Sequence, residues 1–381
     1  MLKITRRRSR QVMVGQVGIG GSARISVQSM TKTDTGDIEA TLSQIRRLKD
    51  VGCDIVRCAV PDMEAAMALR EIKKSSPLPV VADVHFDYRL ALAAVRAGAD
   101  KLRINPGNIG GRDRVQKVAE AAKAQGIPIR VGVNSGSIPK DVLSKYSGPT
   151  WEALVESAQR SISQLTDEGF QDIVVSLKAS DVMTTIEAYR ALAGLCDFPL
   201  HLGVTEAGGV RTGTVKSAIA LGTLLMEGIG DTIRVSLTCE PEEEVRVGIA
   251  ILAGIGIAVD RVEIISCPTC GRCRGDLMRI LKDVEERLEG FRYPVRVAVM
   301  GCEVNGPGEA READVGVALG EKSGVIFSEG SPRGRVPSED IVSRLVEEAV
   351  RIGKEKAEAR NSLRSFREMG SSESIGNNTC L

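Results

Sequence analysis

The feature that most constrains this chain is a regular alternation of short β-branched apolar runs with longer amphipathic runs, from residue 25 to about 254. Such alternation is typical of βαβ units, whose strands lie parallel in one sheet. Strands are predicted at residues 25–30, 55–60, 80–86, 102–105, 129–134, 173–178, 200–206 and 233–237. Eight units in about 230 residues favour a closed (β/α)₈ TIM barrel over a doubly wound open sheet, since such barrels usually span about 250 residues.

Each predicted strand is followed by a helical pattern with a recognisable start. The predicted helix starts are Asp37, Asp62, Asp87, Gly111, Thr150, Asp181, Thr214 and Glu240. Several helices are predicted to end at a glycine, since a left-handed residue commonly closes a helix. These glycines are Gly52, Gly98, Gly126 and Gly169.

From residue 262 the rhythm changes, and a small α+β domain is predicted. Its predicted elements are a strand at 262–266, a helix from 276 to about 289, strands at 295–300, 315–319 and 325–327, and a helix from 338 to about 360. We therefore expect a barrel domain at 1–258, a second domain at 262–365 and a disordered tail at 366–381.

Composition narrows the class of protein. The formal net charge is +1, with 51 Lys+Arg against 50 Asp+Glu, which argues against a general nucleic-acid binder. No apolar run approaches the roughly 20 residues that span a bilayer. The basic run from Arg6 to Arg10 lacks the apolar stretch of an export signal and is interpreted as a solvated N-terminal edge. Nine cysteines without such a signal indicate metal-binding or catalytic thiols in a reducing cytoplasm.

The cysteine pattern of the second domain is the most specific motif. Cys267-Pro-Thr-Cys270-Gly-Arg-Cys273 follows one predicted strand, and Gly301-Cys302-Glu-Val-Asn-Gly-Pro-Gly-Glu309 follows the next. Cys-x₂-Cys spacing places two thiolates near one metal centre, and glycine lets backbone amides approach the sulfur atoms. The second loop supplies one cysteine only, which favours an iron–sulfur cluster over closed structural zinc. Zinc and a redox dithiol remain alternatives, and Cys273 is interpreted as a bystander.

Charged side chains follow the predicted barrel strands at their carboxyl ends, where active sites of such barrels lie. They include five cations on one face of a nearly neutral protein, which indicates an anionic substrate with more than one phosphate. Glu206, placed among the cations, is a candidate general acid or base. The strand-end residues are Arg57, Asp83, His85, Arg103, Asn105, Arg130, Asn134, Lys178, Glu206, Arg234 and Ser236.

Chain direction adds a geometric expectation. Parallel strands run towards the phosphate-binding end, and a returning helix of about 13 residues covers roughly 20 Å in the opposite direction. The last barrel helix therefore delivers the chain to the end opposite the cations. A head-to-tail homodimer, in which each metal domain serves its partner's barrel, would resolve this.

Several motifs resemble those of the 4-hydroxy-3-methylbut-2-enyl diphosphate synthase family, in its bacterial two-domain form. The resemblance covers roughly residues 10–350. The motifs are Ser26-Val-Gln-Ser-Met-Thr31, Val81-Ala-Asp-Val-His-Phe-Asp-Tyr-Arg89, Arg103-Ile-Asn-Pro-Gly-Asn-Ile-Gly110, Arg130-Val-Gly-Val-Asn-Ser-Gly-Ser137, His201-Leu-Gly-Val-Thr-Glu-Ala-Gly208 and the two cysteine loops.

The resemblance implies a TIM barrel that binds the cyclic diphosphate of methylerythritol, and a second domain similar to part of sulfite reductase. It implies two-electron reductive ring opening with loss of a hydroxyl group as water, with flavodoxin or ferredoxin as electron donor. Glu206 would lie near the reacting carbons. The implied ligands of a [4Fe–4S] cluster are Cys267, Cys270, Cys302 and Glu309, and the implied diphosphate-binding residues are Arg57, Arg103, Arg130, Asn134, Lys178, Arg234 and Ser236.

Two other classes of function compete with this reading. One is a phosphate-binding barrel with a structural or partner-docking zinc module, for which the single-cysteine loop with Glu309 is an unusual ligand set. The other is a simple electron carrier, which would leave the five cations of the barrel unexplained.

Overall fold

The computed structural model describes residues 4–257 and 262–372, with side chains as far as residue 359. The chain divides into two compact units, residues 1–257 and 258–381. None of the helices within the described ranges combines the length and the apolar character that crossing a bilayer requires.

An N-terminal hairpin precedes the barrel. Strands β1 (Val12–Val14) and β2 (Val17–Ile19) pair antiparallel around a tight turn at Gly15, which has a φ of 56°. The side chains of Val12, Val14 and Ile19 pack with Ile55, Val81 and Val174 of the barrel strands in one apolar cluster. Apolar burial therefore holds the hairpin against the barrel interior.

The basic N-terminal run is not solvated as expected. Arg6 forms an ion pair with Asp231 at 2.8 Å, and Arg7 donates to the carbonyl groups of Cys196 and Phe198. The side chain of Asp231 is only 3% exposed, so its charge needs a partner. The expectation of a solvated edge is wrong for these two arginines, because Arg6 neutralises the buried carboxylate and Arg7 donates hydrogen bonds to carbonyl groups of the barrel.

Eight parallel strands form the barrel of the first unit. Their order is β8-β7-β6-β5-β4-β3-β10-β9, and a bridge between Val175 and Leu200 joins the two ends. The closed barrel predicted from the alternation is confirmed. The strands are β3 (Ser26–Met30), β4 (Ile55–Ala59), β5 (Val80–Asp83), β6 (Lys101–Ile104), β7 (Ile129–Asn134), β8 (Ile173–Lys178), β9 (His201–Leu202) and β10 (Thr232–Ile233).

Helices follow the strands and pack outside them. They are α1 (Ile38–Asp50), α2 (Met63–Ser75), α3 (Tyr88–Arg96), α4 (Pro106–Ile109), α5 (Arg112–Gln125), α6 (Lys140–Lys145), α7 (Trp151–Thr166), α8 (Val182–Leu195), α9 (Val210–Met226) and α10 (Pro241–Gly254). Asp37, Asp62, Thr150 and Asp181 cap their helices through the side chain, as their residue types predict.

The predicted start at Thr214 is wrong, because α9 begins at Val210 after Gly209. Glycine at this position supplies no side-chain cap, so the usual signal is missing from the sequence. Gly213, in the first turn, lets the helix approach Leu237: a Cβ there would lie 2.4 Å from that side chain.

The second unit is a five-stranded sheet in the order β11-β12-β13-β14-β15, covered by α11 and α13. The first three strands are parallel, and the last two complete an antiparallel meander. Its elements are β11 (Val262–Ser266), α11 (Leu277–Leu288), β12 (Val295–Met300), α12 (Gly306–Glu312), β13 (Val315–Leu319), β14 (Ser323–Ser328), β15 (Ser331–Pro337) and α13 (Ile341–Ser372).

Two elements of this unit are absent from the sequence prediction. Strand β15 contains two prolines, a glycine and two arginines. Such residues occur in exposed edge strands, but they lack the apolar alternation from which a strand is predicted. Helix α12 is short and rich in glycine. Helix α13 extends into residues 366–372, predicted as a tail, because the run from Lys354 to Arg360 consists of good helix formers. The rest of the predicted tail, 373–381, lies outside the described residues.

Candidate functional site

Five cations lie on or just after the barrel strands, and we call them the cation set: Arg57, Arg103, Arg130, Lys178 and Arg234. The expectation that all five lie at carboxyl ends is wrong for Arg130, which is the second residue of β7 (Ile129–Asn134) and therefore lies deeper in the barrel. Four are buried on β4, β6, β7 and β8, and Arg234 is half-buried just after β10. Burial first, and then the positive charges of the four arginines, lower the pKa of Lys178, because the arginines lie near it within the barrel. The structure therefore brings these five predicted residues together.

Two glycines make room for the long side chains. A Cβ at Gly132 would lie 2.6 Å from Nε of Arg103, and one at Gly203 would lie 2.8 Å from Nζ of Lys178. A Cβ at Gly203 would also lie 2.6 Å from the backbone carbonyl oxygen of Arg234, so a larger residue at either position would force its neighbours to shift. The glycines of the Arg-Val-Gly-Val and His-Leu-Gly-Val motifs thus have a steric role that the sequence alone does not reveal.

Asp83 on β5 orients two members of the cation set. Its carboxylate lies 3.3 Å from Nε of Arg57 and 3.0 Å from Nη1 of Arg103, while His85 lies 2.8 Å from the same Nη1. Burial raises the pKa of Asp83, but the charges of Arg57 and Arg103 and a hydrogen bond from His85 hold it well below the ordinary value. The carboxylate therefore stays ionised and holds both arginines in place.

The cation set carries more charge than the carboxylates that face it. Among the described residues, only Asp83 and Glu244 form ion pairs with it, the latter 3.3 Å from Arg234. Arg130, only 1% exposed, has no carboxylate partner, and its Nε and Nη1 have no hydrogen-bond partner. Burial and the neighbouring arginines lower the pKa of Arg130. Uncompensated cations at this depth are costly and indicate a site for an anion.

A cavity of about 670 Å³ lies at the mouth of the barrel and is lined in part by His85, Asn105, Asn134 and Glu206. Glu206 has a φ of 52°, a conformation that is strained for a residue with a side chain. Its side chain is exposed and forms no ion pair with the cation set among the described residues. The sequence prediction placed Glu206 among the cations, whereas it lies at the rim of the site. Ser236, two residues beyond Arg234, is half-buried.

Sequence reasoning missed Glu244 on α10. Its buried carboxylate accepts from Ser29, from the amide of Leu237 and from Arg234. A glutamate in the first turn of a helix is usually a dipole-compensating surface residue, so its burial against the barrel had no sequence signal. Further buried polar residues of the barrel strands include Gln28, Lys101 and His201. The signal for Lys101 was available, because residues two apart in a strand share a face and Arg103 was already assigned.

The two cysteine loops of the second unit meet at Gly301. Its amide donates to Sγ of Cys267 at 3.2 Å, and its carbonyl accepts from the amide of Arg274 at 2.9 Å. A Cβ at Gly301 would lie 3.3 Å from Sγ of Cys267 and 2.8 Å from Sγ of Cys273. Glycine is therefore required where the loops join, and Sγ of Cys273 packs beside this junction.

Cys302 and Glu309 belong to the second loop and to α12. The backbone amides of Asn305 and Val304 lower the pKa of the Cys302 thiol, which favours the thiolate that binds metal. Glu309 lies in the first turn of α12 and is exposed, as is Cys270 of the first loop. Among the residues that the structure describes, no three such side chains converge as ligands of one ion. Each iron of a cluster takes its own ligand, so a set of thiols and one carboxylate spread over two loops fits a cluster.

The cation set and cysteine loops can now be compared with known proteins. The GcpE TIM-barrel domain matches residues 9–249, and the GcpE protein C-terminal domain matches residues 263–351.

Curated relatives match over nearly their whole length. A protein from Caldanaerobacter subterraneus subsp. tengcongensis is 54% identical over 356 residues, which is 93% of this chain and 100% of that protein. One from Clostridium acetobutylicum is 56% identical over 340 residues, which is 89% of this chain and 97% of that protein. Both are named 4-hydroxy-3-methylbut-2-en-1-yl diphosphate synthase (flavodoxin). By both of its domains and by these relatives, the chain belongs to the GcpE family of two-domain enzymes.

Proposed function

We propose that this chain reduces 2-C-methyl-D-erythritol 2,4-cyclodiphosphate to 4-hydroxy-3-methylbut-2-enyl diphosphate. Two electrons and one proton enter the substrate. The C2–O bond of the ring breaks with its oxygen staying on the diphosphate, and the C3 hydroxyl takes the proton and leaves as water. The observation that carries the proposal is the charge excess of the cation set, which faces only Asp83 and Glu244 among the described residues. A diphosphate supplies the missing negative charge, and guanidinium groups match its oxygen atoms in geometry.

The barrel residues bind and orient the substrate in this proposal. Arg57, Arg103, Arg130, Lys178 and Arg234 hold the phosphate oxygens, with Asn134 and Ser236 as neutral donors. Asp83 keeps Arg57 and Arg103 aligned, and His85 contributes at the mouth, where it contacts Arg103. Glu206 lies at the rim of the site in a strained backbone conformation. In this proposal its carboxylate transfers a proton to or from the reacting carbons or the leaving hydroxyl group.

The cysteine loops would hold a [4Fe–4S] cluster through Cys267, Cys270, Cys302 and Glu309. When bound, the cluster supplies the electrons for the reduction. A carboxylate is a harder ligand than a thiolate, so Glu309 is the ligand best able to leave its iron while three thiolates keep the cluster. The thiols must stay reduced to serve as ligands, which supports a cytoplasmic location.

Flavodoxin is the electron donor in this proposal, with ferredoxin as the alternative. The relatives at 54% and 56% identity carry flavodoxin in their names. A direct comparison of the two reduced carriers, at equal concentration and potential, tests this assignment. Faster turnover with ferredoxin would overturn it.

We also propose a head-to-tail homodimer in which the cysteine loops of one chain serve the barrel of the other. Helix α10 ends at Gly254, at the end of the barrel opposite the cation set, which supports this arrangement. Mixing Glu206→Gln protein with Cys302→Ala protein should restore activity in heterodimers. If no mixing ratio restores activity, each chain uses its own loops.

The experiment that tests the proposed function begins with protein purified without oxygen. About four irons and four sulfides per chain are expected, followed by turnover of the cyclic diphosphate with reduced flavodoxin. Stoichiometric zinc without sulfide, persisting after reconstitution with iron and sulfide, would remove the redox chemistry. It would leave the barrel as an anion-binding domain.

A further inference from the structure

A layer of buried polar groups lies between the cation set and the apolar hairpin. Lys101 on β6 is completely buried, and its Nζ has no hydrogen-bond partner in the part of the chain that the structure describes. Lys101 pairs in register with Val81 of β5, whose side chain packs on the hairpin. It precedes Arg103 by two residues along β6, which corresponds to about 7 Å. The side-chain amide of Gln28 on β3 and both ring nitrogens of His201 on β9 also have no partner.

The charges that face Lys101 from the surrounding strands are nearly all positive. Burial first, and then Arg130 on β7 and Arg57 on β4, hold the pKa of Lys101 well below its ordinary value. His201 on β9 responds to the same field, since burial and the charges of Arg130, Lys178, Lys101 and Arg57 lower its pKa. Asp83 on β5 is already paired with Arg57 and Arg103, and Glu244 with Arg234.

We infer that Lys101 takes up a proton when the diphosphate binds, and so acts as a positioning residue beneath the arginines that hold the phosphates. The inference rests on the proposed diphosphate site. The bound anion offsets the positive field of Arg57 and Arg130, so the pKa of Lys101 rises towards the value that burial alone sets. Protonated Lys101 then adds attraction for the anion from the layer below.

The direction of the pH dependence follows from linkage. In the free protein the pKa of Lys101 is low, and in the complex it is higher, so binding is tightest at low pH, where Lys101 is charged in both states. Affinity falls as pH rises from the first pKa to the second, by roughly tenfold for each pKa unit between them. Above the second value, Lys101 is neutral in both states and contributes no charge.

Titration calorimetry of the intact enzyme measures this proton directly. The cyclic diphosphate and inorganic pyrophosphate are each titrated into wild type in two buffers of different ionisation enthalpy. The difference in observed heat gives the number of protons taken up, and the expected result is uptake that appears as pH rises. Lys101→Met should abolish this uptake and bind more weakly at low pH, with affinity converging on that of wild type at high pH. Lys117→Met, at an exposed lysine of α5, is the matched control and should behave as wild type.

The outcomes separate this inference from the proposed function. If wild type binds neither probe, the diphosphate site itself is wrong. If wild type binds without proton uptake, or if uptake persists in Lys101→Met, whether it then comes from His201 or from Lys178, the role of Lys101 is overturned. Lys101→Gln serves in place of Lys101→Met if the latter does not fold. A merely structural lysine would change stability without changing the proton count.

Discussion

The cation set of the barrel and the cysteine loops of the second unit are built in opposite ways. Arg57, Arg103 and Arg130 lie on strands, buried, and two of them are aligned by Asp83. Cys270 and Glu309 lie on exposed segments that follow strands. The first site is organised by the sheet before any ligand arrives, whereas the second is joined by a few backbone contacts at Gly301. A site for an anion can be preformed from strands, but thiols that surround a cluster must remain accessible to it.

The two sites also differ in how they affect the stability of the fold. Like charges gathered in a barrel interior destabilise the ligand-free fold, and an anion that binds there stabilises it. The cysteine loops place no comparable charge in the interior, because Cys270 and Glu309 are exposed and Cys267 and Cys302 are only half-buried. We therefore expect variants of the two sites to separate cleanly in their effects on stability, anion binding and iron content.

The largest effect is expected for Cys302→Ala. Loss of one thiolate ligand should reduce iron and sulfide far below four per chain and abolish turnover, while pyrophosphate binding stays within about twofold of wild type. Iron analysis and titration calorimetry on the same preparation measure the iron content and the pyrophosphate affinity. Cys196→Ala, outside the loops, is the control. Full iron content in Cys302→Ala would remove this residue from the ligand set.

Arg130→Met should weaken anion binding and leave the iron content unchanged, which is the reverse of the result expected for Cys302→Ala. Removing a buried charge that contacts the anion should weaken pyrophosphate binding by roughly 30-fold to 1,000-fold, equivalent to about 2–4 kcal/mol. The iron content should not change, and thermal unfolding of the ligand-free protein should occur at a higher temperature, because one uncompensated charge is gone. Arg96→Met, at an exposed position of α3, controls for loss of an arginine. Unchanged affinity in Arg130→Met would contradict the assignment of the cation set.

Glu206→Gln tests the rim of the barrel site. The amide keeps the size of the side chain but cannot transfer a proton, so kcat should fall by about 10²-fold to 10⁴-fold with little change in pyrophosphate affinity. The absorption spectrum of the cluster should be that of wild type. Glu120→Gln, on the exposed face of α5, serves as the control. Loss of the cluster spectrum in Glu206→Gln would show that this residue has another role.

The smallest effect is expected for Cys273→Ser. Its sulfur lies near Gly301 and donates to the carbonyl of Gly275 at 3.4 Å, a contact that a hydroxyl group can replace. Iron content and turnover should stay within about twofold of wild type, whereas Cys270→Ser should lose both. A colourless Cys273→Ser protein would mean that this thiol, and not one of the assigned ligands, binds iron.

Local chemistry made much of the barrel predictable. Asp62 and Asp181 predict helix starts, because an aspartate carboxylate accepts hydrogen bonds from the backbone amides that the first turn of a helix leaves unpaired. Where a helix starts at glycine, as α9 does after Gly209, the signal is missing and the predicted start at Thr214 is wrong. The cations of the site were predictable because the carboxyl ends of parallel strands meet at one end of a barrel.

The sequence by itself determined the number and order of the barrel strands, the strand ends that carry cations and the spacing of the cysteine loops. These follow from periodicity, caps and adjacency along the chain. Only the tertiary structure decided that Glu244 pairs with Arg234, that Arg6 neutralises Asp231 and that Lys101 lies unpartnered beneath Arg130. Such contacts join residues far apart in the chain, and their energies depend on burial and on the sum of nearby charges, which no local pattern encodes.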